Sequence, residues 1–435
     1  MIQKQYIFLI GIFIALILSS CVEAEHEFSK LAPGIWRAEL TLGGGKILRD
    51  KDDESPILDN KILLPFNFEV IYPSPDSFYI VLHNGEERID VSDILYGRDM
   101  ATAKDTVLIR FPVFDTYIKA IYVENVMEGE WVVNFRNNYS IPFVAYHGQG
   151  HRYQNDGTPP LMDLSGKWKA TFEVDTEDAF PAVGEFIQDG NKLLGTFLTE
   201  TGDYRYLEGI VRDNKFSMSC FDGAHAFLFD GKIMDDKSLL GTFSSGTHYK
   251  VLWKATQDDN ATIANPFTLT QAVNPTEPLA FSFPNTKGEM VSLLDEKYKD
   301  KPKLIKLMGT WCPNCKDESM FLKQYLKSNP SDDLEVIALS FEKYKDKTKS
   351  MNAIRKFKDK FDIPYEVLYA GSSDKAEASK QMPQISKITS FPTLLFLDRT
   401  NRIRHIHTGF AGPATSEFAA FETEFETIVN ELMAE

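Results

Sequence analysis

Hydrophobic and polar positions along the chain fall into three regimes. From about 30 to 146, and again from about 164 to 255, short runs rich in Phe, Tyr, Val, Ile and Thr recur between turn residues, with no long helical period. Residues 36–42, 77–82, 106–111, 119–123 and 131–135 are examples, and such runs predict strands on half-buried, pleated surfaces. From about 278 to 435 the pattern changes. Strand-like runs at 303–308, 334–340, 365–369 and 393–397 alternate with helical patterns at 316–327, 349–361, 374–381 and 416–433. That alternation predicts crossover units, a central sheet covered by helices on both faces. A turn at 398–401 leads into 402–408, predicted to close the sheet edge as an antiparallel hairpin. Two stretches rich in Pro, Asn, Gly and Asp, 147–163 and 256–277, read as exposed linkers.

The two β segments open alike, with Gly34-Ile35-Trp36-Arg37-Ala38 against Gly166-Lys167-Trp168-Lys169-Ala170. In the second, Leu193-Leu194-Gly195-Thr196-Phe197 recurs as Leu239-Leu240-Gly241-Thr242-Phe243, and Met127-Glu128-Gly129-Glu130-Trp131 stands where a counterpart falls in the first. These repeats predict two related modules with strands in successive hairpins and an opening tryptophan plugging each core. The expected fold class is multidomain: two all-β, barrel- or sandwich-like modules (30–146 and 164–255) followed by an α/β domain (278–435).

Composition narrows the function. With 47 Lys+Arg against 63 Asp+Glu, the formal net charge of −16 argues against a nucleic-acid partner, which needs clustered positive charge. Four cysteines, Cys21, Cys220, Cys312 and Cys315, are too few for a disulfide-stapled scaffold.

Residues 1–20 have the layout of an export signal: Lys4, an apolar run of about 12 residues, then Leu18-Ser19-Ser20-Cys21. The run is short of the roughly 20 residues that span a bilayer. Leu-Ser-Ser-Cys resembles a bacterial lipobox, which implies acylation of Cys21 and anchorage of the mature chain to a membrane, at the periplasmic face or the cell surface. Glu23, Glu25 and Glu27 form an acidic tether behind it.

Cys312 and Cys315 sit at the junction of a predicted strand and helix, in Gly309-Thr310-Trp311-Cys312-Pro313-Asn314-Cys315-Lys316-Asp317-Glu318. A cysteine at a helix start is stabilised as thiolate by unpaired N–H groups and the helix dipole. Cys312 is therefore expected to attack a substrate disulfide, and the shielded Cys315 to resolve the mixed disulfide.

Trp311-Cys312-Pro313-Asn314-Cys315, with Ser390-Phe391-Pro392-Thr393 further on, resembles the thioredoxin fold, and Lys316-Asp317-Glu318 brings it closer to the TlpA/ResA-type thiol-disulfide oxidoreductases. β-rich N-terminal modules before such a domain are familiar in lipoproteins of Bacteroidetes-type bacteria. The resemblance covers about 278–435. It implies that Pro392 follows a cis bond and faces the cysteines, that Phe391 offers its backbone to a substrate peptide, and that Trp311, Pro313, Asn314 and Thr393 help position that peptide. It also implies that Glu318 lies beside Cys315 and accepts its proton during resolution. The implied partners are disulfide-containing protein clients and a membrane redox partner that recycles the pair; no cofactor or metal is implied. Reduction is the implied direction, with isomerisation and oxidation as alternatives. The Pro-Asn dipeptide departs from the Gly-Pro of thioredoxin, so the potential does not carry over.

Other candidates read as structural. Cys220, in a strand-like run, is expected to be an inert core residue. His405 and His407, two apart on a strand, fit a solvated sheet face better than a metal pair, and His147 and His151 are no stronger. A peroxidatic role for Cys312 lacks the proline expected upstream. Two functions of different class remain: a tethered thiol-disulfide oxidoreductase, and a binding lipoprotein whose β modules carry the function beside a redox-silent thioredoxin-like domain.

Overall fold

The computed structural model describes residues 30–44 and 61–435. The export signal, Cys21 and the acidic tether lie outside the described residues. Nine strands form the first module: β1 (Gly34–Gly44), β2 (Lys61–Ser74), β3 (Ser77–Asn84), β4 (Glu87–Val91), β5 (Ile94–Asp99), β6 (Lys104–Phe111), β7 (Thr116–Val123), β8 (Val126–Val133) and β9 (Ser140–His147). The second repeats the plan: β10 (Gly166–Phe172), β11 (Phe180–Asp189), β12 (Lys192–Thr199), β13 (Gly202–Asp203), β14 (Leu207–Arg212), β15 (Lys215–Phe221), β16 (Ala226–Ile233), β17 (Leu239–Ser245) and β18 (Tyr249–Gln257).

Both modules are antiparallel meanders in which the first strand returns to pair with the last, β1 with β9 and β10 with β18. They differ in closure. In the second, β11 also pairs with β12, so eight strands close into a barrel with the short β13 as a flap on β12. In the first, order β4-β3-β2-β1-β9-β8-β7-β6-β5, the two end strands do not pair and the sheet is an open half-barrel.

The opening tryptophans do plug the cores. Trp36 and Trp168 are fully buried, and each donates its indole N–H to the carbonyl four residues before it, Ala32 at 3.0 Å and Leu164 at 2.8 Å. Burying a ring of this size removes on the order of 200 Å² from water, worth about 5 kcal/mol. The repeated Leu-Leu-Gly-Thr-Phe segments are β12 and β17, each the second strand of a hairpin. Gly129 does occupy the corresponding place in β8, lying like Gly195 and Gly241 so close to a neighbouring strand that a Cβ would strike its backbone.

The open module completes its core with residues of the closed one. Phe221, Ala226 and Leu228 of β15 and β16 lie in the first module's apolar cluster, where Phe221 stacks on Phe66 (4.3 Å) and meets Trp131 edge-on (5.4 Å). The stretch 147–163 is accordingly not the exposed linker its composition suggests. Arg152 within it is 3% exposed and donates to Ser219 O (2.7 Å), Asn84 Oδ1 (3.3 Å) and His83 O, tying the modules together.

The C-terminal domain opens with a small hairpin, β19 (Ser282–Pro284) and β20 (Met290–Ser292). There follow β21 (Lys303–Met308), α1 (Pro313–Ser328), β22 (Glu335–Glu342), α2 (Lys347–Phe361), β23 (Glu366–Ser372), α3 (Lys375–Lys380), β24 (Thr393–Leu397), β25 (Ile403–Thr408) and α4 (Phe418–Ala434). The sheet order is β23-β22-β21-β24-β25, with β21, β22 and β23 parallel and β24 and β25 antiparallel, a thioredoxin-like arrangement. Every residue of β21 and of β24 is buried, as a sheet covered on both faces requires. The stretch 256–277 also packs onto this domain, through the bridge Ala272–Ile385 and Phe267 against the rings of His405 and His407.

Candidate active site

The cysteine pair sits where β21 hands over to α1. Cys312 is the N-cap of α1 in extended conformation, and Pro313 holds the first helical position, where a missing N–H costs nothing and φ is preset. The backbone N–H of Cys315 therefore points back and donates to Cys312 Sγ at 3.2 Å. Cys312 Sγ lies 3.6 Å from the carbonyl of Phe391, and the Phe391–Pro392 bond is cis. Phe391 packs edge-on to Trp311 (6.1 Å), whose indole donates to Phe341 O (2.9 Å), and Thr393 donates to Ser390 O (2.8 Å). The structure thus brings together Trp311, Cys312, Cys315, Phe391, Pro392 and Thr393 from two distant stretches of sequence.

The two thiols are electrostatically unequal. Burial opposes ionisation of Cys312, but hydrogen bonds from Cys315 and the charges of Lys306 and Lys343 outweigh it, and its pKa lies below that of an ordinary thiol. Burial and the neighbouring Cys312 push Cys315 well above. Of the two thiols, Cys312 is thus the more easily ionised.

Glu318 is fully buried, and its neighbour is a cation absent from the sequence-based site: Lys306 of β21, also fully buried, 3.2 Å from Glu318 Oε2. Lys306 donates its hydrogen bonds elsewhere, to Cys315 O (2.7 Å) and Ser319 Oγ (2.8 Å), so the carboxylate is ion-paired without an aligned hydrogen bond. Burial raises the Glu318 pKa against the pull of Lys306. The one signal for Lys306 was its position, a lone charge in the apolar run Leu304-Ile305-Lys306-Leu307-Met308.

The β modules reach the site as well. A Cβ at Gly202 of β13, φ +132°, would collide with the Asn314 side chain, which donates to Asp203 O at 3.3 Å. Asp203 Oδ2 accepts from Gly412 N (2.7 Å), and Ser390 donates to Thr201 O (3.1 Å). Next to this flap, the 4% exposed Arg205 pairs with Glu87 of the first module, Asp317 of α1, and Asp222 (3.6 Å). Hydrogen bonds from the adjoining His225 (ring at 3.2 Å) and the charge of Arg205 overcome burial and hold Asp222 below the usual carboxylate range. Asn314 and Pro313, expected to face a client, are thus partly covered from within the chain. Neither Asp203 nor Arg205 carries a sequence signal.

The remaining candidates fall away from the pair. Cys220 is buried in the second module's apolar cluster, its thiol pushed far up by burial. His405 is exposed as expected, but His407 is 5% exposed, because Phe267 and Phe421 cover its ring. Desolvation lowers its pKa to about 4, and it bonds Gly409 O at 3.1 Å. Among the described residues no group of three His, Cys, Asp or Glu is placed to hold a metal. Among them no helix is long and apolar enough to cross a membrane.

The AhpC/TSA family model matches residues 276–406. Similar solved structures include a thiol-disulfide oxidoreductase from Bacteroides fragilis NCTC 9343, 19% identical, covering 36% of this chain and 99% of that one, with a TM-score of 0.27. A thioredoxin-family thiol:disulfide interchange protein from Chlorobium tepidum TLS is 20% identical over 38% of this chain and 99% of its own, TM-score 0.28. A secreted disulfide oxidoreductase from Mycobacterium tuberculosis is 16% identical over 35% and 96%, TM-score 0.27. No curated protein matches the chain. The family match falls on the C-terminal domain and leaves both β modules outside it.

Proposed function

We propose that this chain is an extracytoplasmic thiol-disulfide oxidoreductase, lipid-anchored through Cys21, that reduces disulfides in protein clients with Cys312 and Cys315. The observation that carries the reading is the helix-capping Cys312 Sγ, which accepts the Cys315 N–H beside the Phe391 carbonyl while its own resolving partner stays protonated.

In this mechanism the Cys312 thiolate attacks one sulfur of the client disulfide. A mixed disulfide forms and the other client sulfur leaves as thiolate. Cys315 then loses its proton and attacks Cys312 Sγ; the second client sulfur leaves and the Cys312–Cys315 disulfide closes. Two electrons pass to the client; one of its two thiolates takes up the proton given up by Cys315, and the other takes one from solvent. A membrane dithiol partner restores the reduced pair. Lys306 donates to the Cys315 carbonyl (2.7 Å) and pairs with Glu318, one helical turn on from Cys315, and Glu318 is the proposed acceptor of the Cys315 proton.

Equilibrium titration of the full chain against a dithiothreitol buffer, with thiol trapping of Cys312 and Cys315, tests the reading. A potential near or below about −250 mV supports a reductant. A value of about −120 to −180 mV assigns the pair to oxidation or isomerisation instead. A pair that does not cycle leaves the β modules as carriers of the function.

A further inference from the structure

On one side the flap around Gly202 and Asp203 closes over Asn314 and Ser390. On the other, two clefts between the C-terminal domain and the β modules end on Trp311, the residue before Cys312. One, of about 420 Å³, runs between the β6–β7 turn of the first module and α2. The second, of about 350 Å³, lies between the two β modules. Trp311, Lys343 and Phe135 line both. Lys343 stands at their junction, its ammonium 4.0 Å from the Trp311 ring and 4.7 Å from that of Phe135.

Charge in these clefts runs against that of the chain. The larger carries Lys343, Lys349 and Lys356. Of its two carboxylates, Glu342 is buried and taken up by Thr310 (2.8 Å) and Ser340 (2.5 Å), and Asp115 accepts from Asn134 (3.0 Å). The smaller is lined by Arg136 and Lys343 with no carboxylate, the rest of its wall being largely aromatic. A protein of net charge −16 thus has cationic walls beside its redox cysteine. Partial desolvation of Lys343 between the rings and the charge of Arg136 lower its pKa to about 8, which leaves it cationic at neutral pH.

We propose that the two clefts form one binding site for an acidic, extended peptide segment of the client, laid across Trp311 and Lys343 so that its disulfide is brought to the adjoining Cys312. This rests on the oxidoreductase reading and names the substrate class for the same cysteines. Two lobes on either side of one tryptophan suit a chain that continues in both directions. Each lobe alone is near the lower bound of small-ligand pockets. Cationic walls raise the local concentration of an anionic segment and its capture rate, an effect that salt screens.

The test is single-turnover oxidation of the fully reduced chain by three peptides that carry the same disulfide in acidic, neutral or basic ten-residue frames, with oxidised glutathione and the uncharged 2-hydroxyethyl disulfide alongside. At low salt the acidic peptide is expected to react about tenfold faster than the basic one, and faster than glutathione, with the ratio collapsing near 1 M salt. In the doubly substituted Lys349→Glu, Lys356→Glu chain, both exposed positions on α2, the acidic-to-basic ratio is expected to fall to about one or invert. Because the ratio is read within each protein, a general loss of activity cancels. Equal rates for the three peptides, an unchanged ratio in the variant, or glutathione matching the acidic peptide overturns the proposal. If 2-hydroxyethyl disulfide reacts normally in those cases, the oxidoreductase reading stands without it; if nothing reacts, that reading falls too.

Discussion

Asp317 and Glu318 are consecutive residues of α1, yet they serve different regions of the molecule. Glu318 turns into the C-terminal domain and meets Lys306 beneath Cys315; Asp317 turns outward and meets Arg205 of the second β module. Both cations are buried, but their settings differ. Lys306 has one carboxylate and spends its hydrogen bonds on the backbone and side chain of the redox helix. Arg205 holds three carboxylates drawn from all three parts of the chain. Buried charge in the first region tunes the thiols, and in the second fixes the β modules against the helix that carries them. A charge taken out of water is tolerated only when paired, so each centre exposes its purpose when one partner is removed.

The largest effect is expected at the outer centre. Arg205→Met removes the cation that Glu87, Asp222 and Asp317 share, leaving Lys316 on Asp317 (2.8 Å) and His225 on Asp222 (3.2 Å), and should lower stability by about 3–5 kcal/mol, read as a drop in the urea midpoint. Its pH dependence has a definite sign. In the parent chain the Asp222 pKa is depressed, so its contribution is present above the unfolded value near 3.9 and is lost as pH falls below that. In the variant the three carboxylates have lost their shared cation, so their pKa values rise relative to the parent chain and they protonate earlier as pH falls. The two stability curves should therefore converge toward acid, and a deficit that persists unchanged at pH 4 would argue that packing, not charge, is what Arg205 supplies.

Lys306→Met separates the inner centre from the outer. It removes a charge that lowers the Cys312 pKa and leaves Glu318 alone in the core. The alkylation midpoint of Cys312 is expected to rise. A second change, Glu318→Leu, should restore stability without restoring the midpoint, because it removes the orphaned carboxylate but not the need for a cation. Restoration of both by the double variant would place the effect in folding alone.

Asn314→Ala has the smallest expected consequence. It loses one hydrogen bond to Asp203 O, about 1 kcal/mol, and loosens the flap over the redox face. Exchange with a bulky folded client should then accelerate while exchange with a small uncharged disulfide stays within about twofold, a contrast visible in parallel rate measurements.

The sequence made these regions unequally readable. The C-terminal domain was legible because its signals are local: alternating strand and helix periods, and a Cys-Pro-Asn-Cys turn whose proline suits the first helical position. The β architecture was legible through Trp36 and Trp168 and the repeated Leu-Leu-Gly-Thr-Phe, which mark equivalent strands. Closure of one module and opening of the other was not, since it depends on Phe221 and Leu228 leaving one core for another. Arg152 stood in a stretch that composition marks as linker, and the Arg205 partners at 87, 222 and 317 share no spacing that a motif could reveal. Lys306 alone among the missed charges had a local signature, an ionisable residue inside a core strand.

Whether Cys312 is the attacking thiolate is tested most directly by the pH dependence of iodoacetamide alkylation on the reduced full chain, resolved by peptide mass analysis. The expected result is modification at Cys312 with a midpoint clearly below the ordinary thiol value of about 8.5, while Cys315 and Cys220 stay unmodified until far higher pH. Modification of Cys312 only above about pH 8.5, or of Cys315 first, contradicts it.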